Sequence, residues 1–346
     1  MSRLVVFAPN WLGDAVMALP ALADVRRASP QAAVAVAARP AVAPLFGLVP
    51  GLSAVITLDP RAPGRAATPV AIGSGRFDGA LLFPNSFHVA WTAWRAGIRE
   101  RWGYAADCRH PLLTRSVRRP YRVHQAAYYQ QLTRALGFSA GPLVPSLDVS
   151  AAQREAGRSL LADAGWDGRT SYVVLAPGAA YGGAKRWPSR SFAEVARHLV
   201  ADGLVPVLIG TRGDAPAAAE VLDALGTAVR AIDLTGRTNL LQLAAVLVGA
   251  HGLVTNDSGA MHLAAALGVP VTAIFGPTDE TATHPLGRAP HTVLTHPVWC
   301  RPCMLRECPL SHACMRGVSP EAVARAVGEL ATHRPSLLID DQCDHD

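Results

Sequence analysis

Short apolar runs rich in Val, Ala and Leu alternate with helix-length segments along almost the whole chain. Strands that are apolar on both faces belong in a parallel sheet with helices packed on either side, so this alternation leaves few folds open. In the first series the spacing predicts strands at Arg3–Ala8, Ala33–Ala38, Ala54–Leu58 and Gly79–Phe83, then a helix at Gln125–Gly137. A second series begins after Pro145-Ser-Leu-Asp-Val-Ser150, where helix Ala151–Ala164 leads to strand Tyr172–Ala176. Strands at Val205–Ile209, Val229–Leu234, Gly252–Thr255 and Val269–Phe275 follow, separated by helices at Ser191–Ala201, Ala215–Leu225, Leu240–Ala250 and Ala260–Leu267. Helix Pro320–His333 closes the series. The pattern predicts an α/β protein of two doubly wound halves, residues 1–150 and 151–335, facing each other across a cleft, with a frayed acidic tail at 336–346. In such sheets ligands bind beyond the carboxyl ends of the strands.

Half of the 346 residues are apolar and 17% are charged, which suits two sizeable cores and excludes a disordered chain or a coiled coil. The most apolar stretch, Ala260–Phe275, is broken by His262, Gly268 and Pro270. It falls short of the roughly 20 residues that a membrane-spanning helix needs. The N-terminus runs straight into a strand without the pattern of a signal peptide, so a cytoplasmic location is expected. Neither G-x-G-x-x-G nor G-x-x-x-x-G-K-[ST] occurs, which removes the main support for dehydrogenase and P-loop readings. Asp344-His-Asp346 spells D-x-D but follows no strand, and makes a poor divalent-metal site.

Charge is unevenly placed. Arg95, Arg99, Arg101, Arg109, Arg115, Arg118, Arg119 and Arg122 face only Glu100 and Asp107 in their segment, which carries the chain's whole net charge of +6. Such clustering marks an anionic partner or a solvated basic face, and nucleic acid, an acidic membrane surface and an acidic sugar all fit. A nucleic-acid-binding module would explain this segment, but it would give no role to the anion loops described next, and few aromatics interleave the arginines.

Of the 32 basic residues one alone is lysine, Lys185, in the loop Tyr181-Gly-Gly-Ala-Lys-Arg-Trp-Pro188. A compact ammonium and a planar guanidinium suit different sites, so the survivor is either chance or a point-charge phosphate ligand. In the same half, Thr255-Asn-Asp-Ser-Gly-Ala-Met-His262 runs from a strand into a helix. Asp257 or Ser258 is placed to cap that helix, and its amides and dipole favour an anion. A diphosphate between this helix start and Lys185 needs no metal ion. In the first half Asp14 stands at the end of strand one, either as an N-cap or as a general base, and Trp11 beside it either stacks on a sugar or packs.

Four of the six cysteines cluster as Cys300-x2-Cys303-x4-Cys308-x5-Cys314. In a cytosolic chain such a cluster suggests a metal more than disulfides, and the spacing allows a structural zinc on four thiolates or an iron–sulfur cluster. The interval between the two pairs is far shorter than in zinc ribbons, which favours reduced or partly paired thiols. Cys108 and Cys343 stand alone.

Taken together, Pro9-Asn-Trp-Leu-Gly-Asp14, Pro84-Asn-Ser-Phe87, Pro177-Gly-Ala179, Ala184-Lys-Arg-Trp-Pro188, Asn256-Asp-Ser-Gly-Ala-Met-His262 and Phe275-Gly-Pro277 resemble the lipopolysaccharide heptosyltransferases of glycosyltransferase family 9. The second and fourth motifs look most like heptosyltransferase II. The resemblance implies the GT-B fold of two Rossmann-like domains, an ADP-heptose donor, and a lipopolysaccharide inner-core acceptor that already carries one heptose. It also implies that no metal is needed for catalysis. By position it assigns the catalytic base to Asp14, phosphate binding to Lys185, and the nucleotide-diphosphate loop to Asp257, Ser258, Gly259, Ala260 and His262. Asp214 and Thr238 fall near its nucleoside contacts. The hydroxyl residues that the family carries just before the lysine are replaced here by Ala180 and Tyr181. The acceptor half supplies Trp11, Asn85, Ser86, Arg118, Arg119 and Arg122 as candidate contacts, the arginines also meeting an anionic inner membrane from its cytoplasmic side. Heptosyltransferase I, or another core glycosyltransferase of the same fold, is the alternative within this architecture.

Overall fold

The computed structural model describes residues 2–58, 72–227 and 229–332. Cys343, the D-x-D motif and the acidic tail lie outside these residues. Two six-stranded sheets form, and every strand pairing in them is parallel. The first contains β1 (Arg3–Phe7), β2 (Ala33–Ala38), β3 (Ala54–Thr57), β4 (Gly79–Leu82), β5 (Glu100–Tyr104) and β6 (Arg115–Val117), in the order β3-β2-β1-β4-β5-β6. The second contains β7 (Tyr172–Ala176), β8 (Val205–Leu208), β9 (Ile232–Asp233), β10 (Gly252–Asn256), β11 (Val271–Phe275) and β12 (His291–Thr295), in the order β12-β11-β10-β7-β8-β9. Counted within its own half, each sheet has the 3-2-1-4-5-6 order of dinucleotide-binding folds, read in opposite directions.

Burial explains the continuous apolar patterning. All residues of β4, β7, β10 and β11 are buried, because helices cover both faces. Each buried Val or Leu side chain contributes about 1.5–3 kcal/mol, so a polar residue in a central strand is costly. The outer strand β3 is mostly exposed. Sequence patterning missed β5, β6 and β12. The first two lie inside the arginine-rich segment, where Glu100, Arg101 and Arg115 hide the strand signal. The expected strand Val229–Leu234 shrinks to Ile232–Asp233.

The halves touch through two short helices. Leu12–Met17 follows β1, and Gly259–Ala266 follows β10. A Cβ at Gly13 would lie 2.9 Å from His262 Cδ2, and one at Gly259 3.0 Å from Leu12 Cβ. Glycine on both sides is what allows the two helix starts to meet. A second contact is histidine on histidine: His124 Nε2 lies 3.0 Å from the His284 carbonyl oxygen, with ring centres 4.5 Å apart.

Candidate active site

The loops after β7, β8 and β10 converge on one corner of the second half. Asn256, fully buried at the end of β10, ties them together. Its Nδ2 donates to the carbonyls of Pro177 (2.9 Å) and Gly178 (3.2 Å), and its Oδ1 accepts from the Trp187 amide (3.1 Å). Lys185 ends the 3-10 turn Gly183–Lys185. Its ammonium donates to Asp257 Oδ2 at 2.5 Å, and the same oxygen accepts from Thr278 Oγ1 at 2.7 Å. The Asp257 side chain is 7% exposed and that of Lys185 12%. The ammonium also lies 4.6 Å from the centre of the Tyr181 ring, on which the Arg306 guanidinium sits at 5.3 Å. The Tyr181 hydroxyl donates to the Met304 carbonyl at 2.8 Å, and its ring seats both cations.

The expected side-chain cap on the helix Gly259–Ala266 is absent. Ser258 occupies the N-cap position without a capping bond, its Oγ 3.0 Å from Thr255 Oγ1, and the Asp257 carboxylate is turned to Lys185. The physical reason is competition: a nearby ammonium is a stronger partner for a carboxylate than neutral amides are. Helix-start amides left without an internal acceptor, at the positive end of the dipole, form an anion site. Ala260 lies in this first turn. His262, one turn in, is 4% exposed, and burial pushes its pKa down to about 4, which leaves the ring neutral at pH 7.

Asp214 joins the same corner from beyond β8. Its Oδ2 accepts from the Thr211 amide (2.9 Å) and hydroxyl (2.7 Å), and its carboxylate stands directly over Gly178, where a Cβ would meet Oδ1 at 2.2 Å. Thr238 precedes Asn239, the N-cap of helix Leu240–Gly249, in the loop whose Gly236 packs on Arg212.

In the first half Asp14 lies in the first turn of helix Leu12–Met17, and Trp11 occupies the N-cap position with 61% of its surface exposed. Asp14 is therefore not the cap. Burial raises its pKa, opposed by the Tyr129 hydroxyl 3.5 Å from Oδ1 and by the positive charge of Lys185 across the cleft. Beyond β4, Asn85 donates to the Tyr128 hydroxyl at 2.8 Å, and exposed Ser86 begins helix Phe87–Arg95.

The arginine segment is not uniform. Arg109 is fully buried; it donates to the carbonyls of Tyr104 (3.0 Å) and Pro84, and its Nη2 lies 3.5 Å from Asn85 Oδ1. Burial lowers its pKa to about 10, so it stays cationic at pH 7. Arg101 likewise donates to the carbonyls of Ile98, Arg99 and Leu112. These two hold loops and are not free for an external anion, which corrects the expectation drawn from charge alone. Arg118, Arg119 and Arg122 remain exposed just beyond the carboxyl end of β6, and Arg119 acts electrostatically on Tyr128 and Arg109.

Residues 66–314 match the family model of glycosyltransferase family 9 (heptosyltransferase). The chain belongs to this family. It is a glycosyltransferase of GT-B architecture. It is 32% identical to lipopolysaccharide heptosyltransferase 2 of Salmonella typhimurium over 304 residues, 82% of this chain and 85% of that one. It is 28% identical to lipopolysaccharide heptosyltransferase 1 of Pseudomonas aeruginosa, over 88% of this chain and 87% of that one. The solved structure of the Escherichia coli ADP-heptose heptosyltransferase II superposes with a TM-score of 0.83 at 28% identity, covering 96% of this chain and 99% of that one.

In this family member the structure gives the expected zinc no support. Cys314 is buried and its thiol is raised by burial, with lesser contributions from Cys300, Cys308 and Cys303; all four are free thiols. Among the described residues no group of three or more His, Cys, Asp or Glu side chains is placed to hold a metal ion. The cysteine loop is tied to the lysine loop through Arg306 O accepting from the Ala184 amide (2.9 Å) and Glu307 Oε1 accepting from the Gly183 amide (2.9 Å). Sequence reading gave no role to Asn256, Thr278 or Tyr129, and placed Arg109 only within the basic cluster. Thr278 follows the Phe275-Gly-Pro277 motif, but nothing local in sequence marks Tyr129 or the burial of Arg109.

Proposed function

We propose that this glycosyltransferase transfers heptose from ADP-heptose to the inner core of lipopolysaccharide, adding the second heptose with inversion at the anomeric carbon. The observation that carries the reading is the pairing of a half-buried carboxylate, Asp14, with a cationic, amide-lined corner at Lys185 and the Gly259–Ala266 helix start. The names of the relatives support heptose as the sugar, and the greater identity to a heptosyltransferase 2 than to the heptosyltransferase 1 above favours the second position. Residues 1–150 serve as the acceptor half and 151–335 as the donor half.

Asp14 takes the proton of an acceptor hydroxyl, which attacks the anomeric carbon from the face opposite the diphosphate. A carboxylate whose pKa is raised is a stronger base than an exposed one. Negative charge grows on the departing ADP. Lys185, fixed by Asp257 and Thr278, and the uncapped amides from Ser258 onward meet it as preorganised donors, with neutral His262 beside them. No step in this scheme calls for a metal. Asp214 and Thr238 border the nucleoside side of the corner. Trp11, Asn85, Ser86 and the exposed arginines face the acceptor.

No helix of the described residues is long and apolar enough to cross a membrane. We infer peripheral contact with the anionic cytoplasmic leaflet, supported by Arg118, Arg119 and Arg122 next to Tyr121, which is 82% exposed. The test of function is a transfer assay with purified enzyme, ADP-heptose, and core acceptors carrying zero or one heptose. Product only from the one-heptose acceptor, abolished by Asp14→Asn, is expected. Transfer to the heptose-free acceptor would identify heptosyltransferase I activity instead, and turnover with UDP-sugars alone would reject the donor.

A further inference from the structure

A cavity of about 560 Å³ opens on the second half beside the lysine turn. It shares Gly183 with that turn, but its wall includes none of Asp14, Lys185, Asp257, Ser258 or His262. Arg186, Arg190, Arg316 and His312 line it. The arginines arrive from separate places: directly after Lys185, in the first turn of helix Ser189–Ala201, and at the end of helix Ala313–Arg316. All three are exposed, and among the described residues none forms an ion pair. One carboxylate, Glu220, also lines the cavity, where it accepts from Ser189 Oγ at 2.8 Å and leaves three guanidinium groups against a single acid in the wall; Glu307, behind Gly183, accepts from that residue's amide.

Cations gathered around a concave surface repel one another and raise the local affinity for anions. Arg190 adds a second conflict. A cation in the first turn of a helix opposes the dipole, which there favours negative charge. Local choices that disfavour the folded chain by itself are expected at functional sites. We propose that this cavity is a second anion site, separate from the donor cleft, which binds a phosphate group. Guanidinium forks match phosphate oxygens in paired hydrogen bonds, and the volume lies within the roughly 300–1,000 Å³ of small-molecule pockets. The phosphate belongs either to a soluble ester or to a lipid headgroup.

Calorimetric titration of the full chain with inorganic pyrophosphate tests this, and part of its design rests on the donor-cleft reading. The wild type is expected to bind two equivalents, one in the cleft and one in the cavity. Arg190→Gln/Arg316→Gln should lose one equivalent while its melting temperature stays near that of the wild type, since both side chains are exposed. Lys185→Ala should lose the other. Unchanged stoichiometry and affinity in the double variant would overturn the cavity site. An unchanged count in Lys185→Ala, with one equivalent lost in the double variant, would fault only the cleft reading. Co-sedimentation with phosphatidic acid vesicles separates the sources. Vesicle binding lost in the double variant assigns a lipid phosphate; vesicle binding retained while pyrophosphate binding is lost assigns a soluble one.

Discussion

Lys185 is held by three different interactions: an ion pair to Asp257, the Tyr181 ring below it, and a 3-10 turn behind it. Only the first two constrain the ammonium itself, and both are short-range. Replacing Lys185 by Ala removes the proposed donor to the diphosphate and leaves Asp257 buried with Thr278 as its remaining side-chain partner among the described residues. Losing one side of a buried pair costs about 3–5 kcal/mol, so activity must be read on material shown to be folded. On that material kcat should fall by roughly 100-fold, the scale of one lost transition-state donor. Lys185→Arg should recover part of this and stay below wild type, because a planar fork does not fill the seat of a point charge; steady-state kinetics with saturating donor measures both. Tyr129 offers a pH test. Its hydroxyl lowers the Asp14 pKa that burial raises. Tyr129→Phe removes the lowering contribution, so the acid limb of kcat moves to higher pH, and a limb that stays in place or moves down refutes Asp14 as the titrating base.

At the scale of elements, the contact between helices Leu12–Met17 and Gly259–Ala266 brings Asp14, the proposed base, toward the Lys185 corner. Alanine is favoured over glycine in a helix by about 1 kcal/mol, whereas overpacking costs about 1–3 kcal/mol. Which effect wins depends on the neighbour. At Gly259 the added methyl meets Leu12 Cβ at 3.0 Å and its Cδ2 and Cγ at 3.2 and 3.3 Å, and a backbone shift of a few tenths of an ångström with a turn of the partly exposed side chain relieves all three. At Gly13 it meets the His262 ring at 2.9 Å, and that ring is buried and fixed. Gly13→Ala should therefore destabilise the protein by about 1–3 kcal/mol in denaturant titrations, with Gly259→Ala near neutral. Both should lower kcat by spreading the two helix starts. Comparable losses of stability at the two positions would show that the ring yields as readily as the leucine.

For the whole molecule, the charges open to an external anion are those of the arginine segment that the fold leaves outside. Arg101 and Arg109 are spent on carbonyl groups, whereas Arg118 and Arg119 lie beyond β6 on the carboxyl side of the first sheet, where ligands of parallel sheets bind. Reversing both to Glu should raise the acceptor KM and weaken binding to anionic vesicles, with the difference shrinking as salt rises above roughly 0.15 M. Donor KM should be unchanged, since the donor corner belongs to the other half. A variant with altered donor KM and normal acceptor KM would move these arginines out of the acceptor site.

Strands buried on both faces must be apolar throughout, so residues such as Tyr172–Ala176 and Val271–Phe275 announced a doubly wound fold from their order alone, and with it the loops where chemistry sits. The motifs around Asp14, Lys185 and Asp257–His262 were legible for the same reason: each is a loop or helix start directly after such a strand. Strands β5 and β6 were not legible, because toward a sheet edge charged side chains reach solvent and erase the apolar pattern. Nor did sequence show that Arg109 is buried, that Asp257 binds the lysine and leaves the helix uncapped, or that four clustered cysteines hold no metal geometry. Those outcomes depend on which partner stands within a few ångströms. Local pattern specifies what each segment becomes. Which distant group satisfies each charge is decided when the loops beyond the strands pack within each half, and the contact through Gly13 and Gly259 then sets Asp14 opposite Lys185.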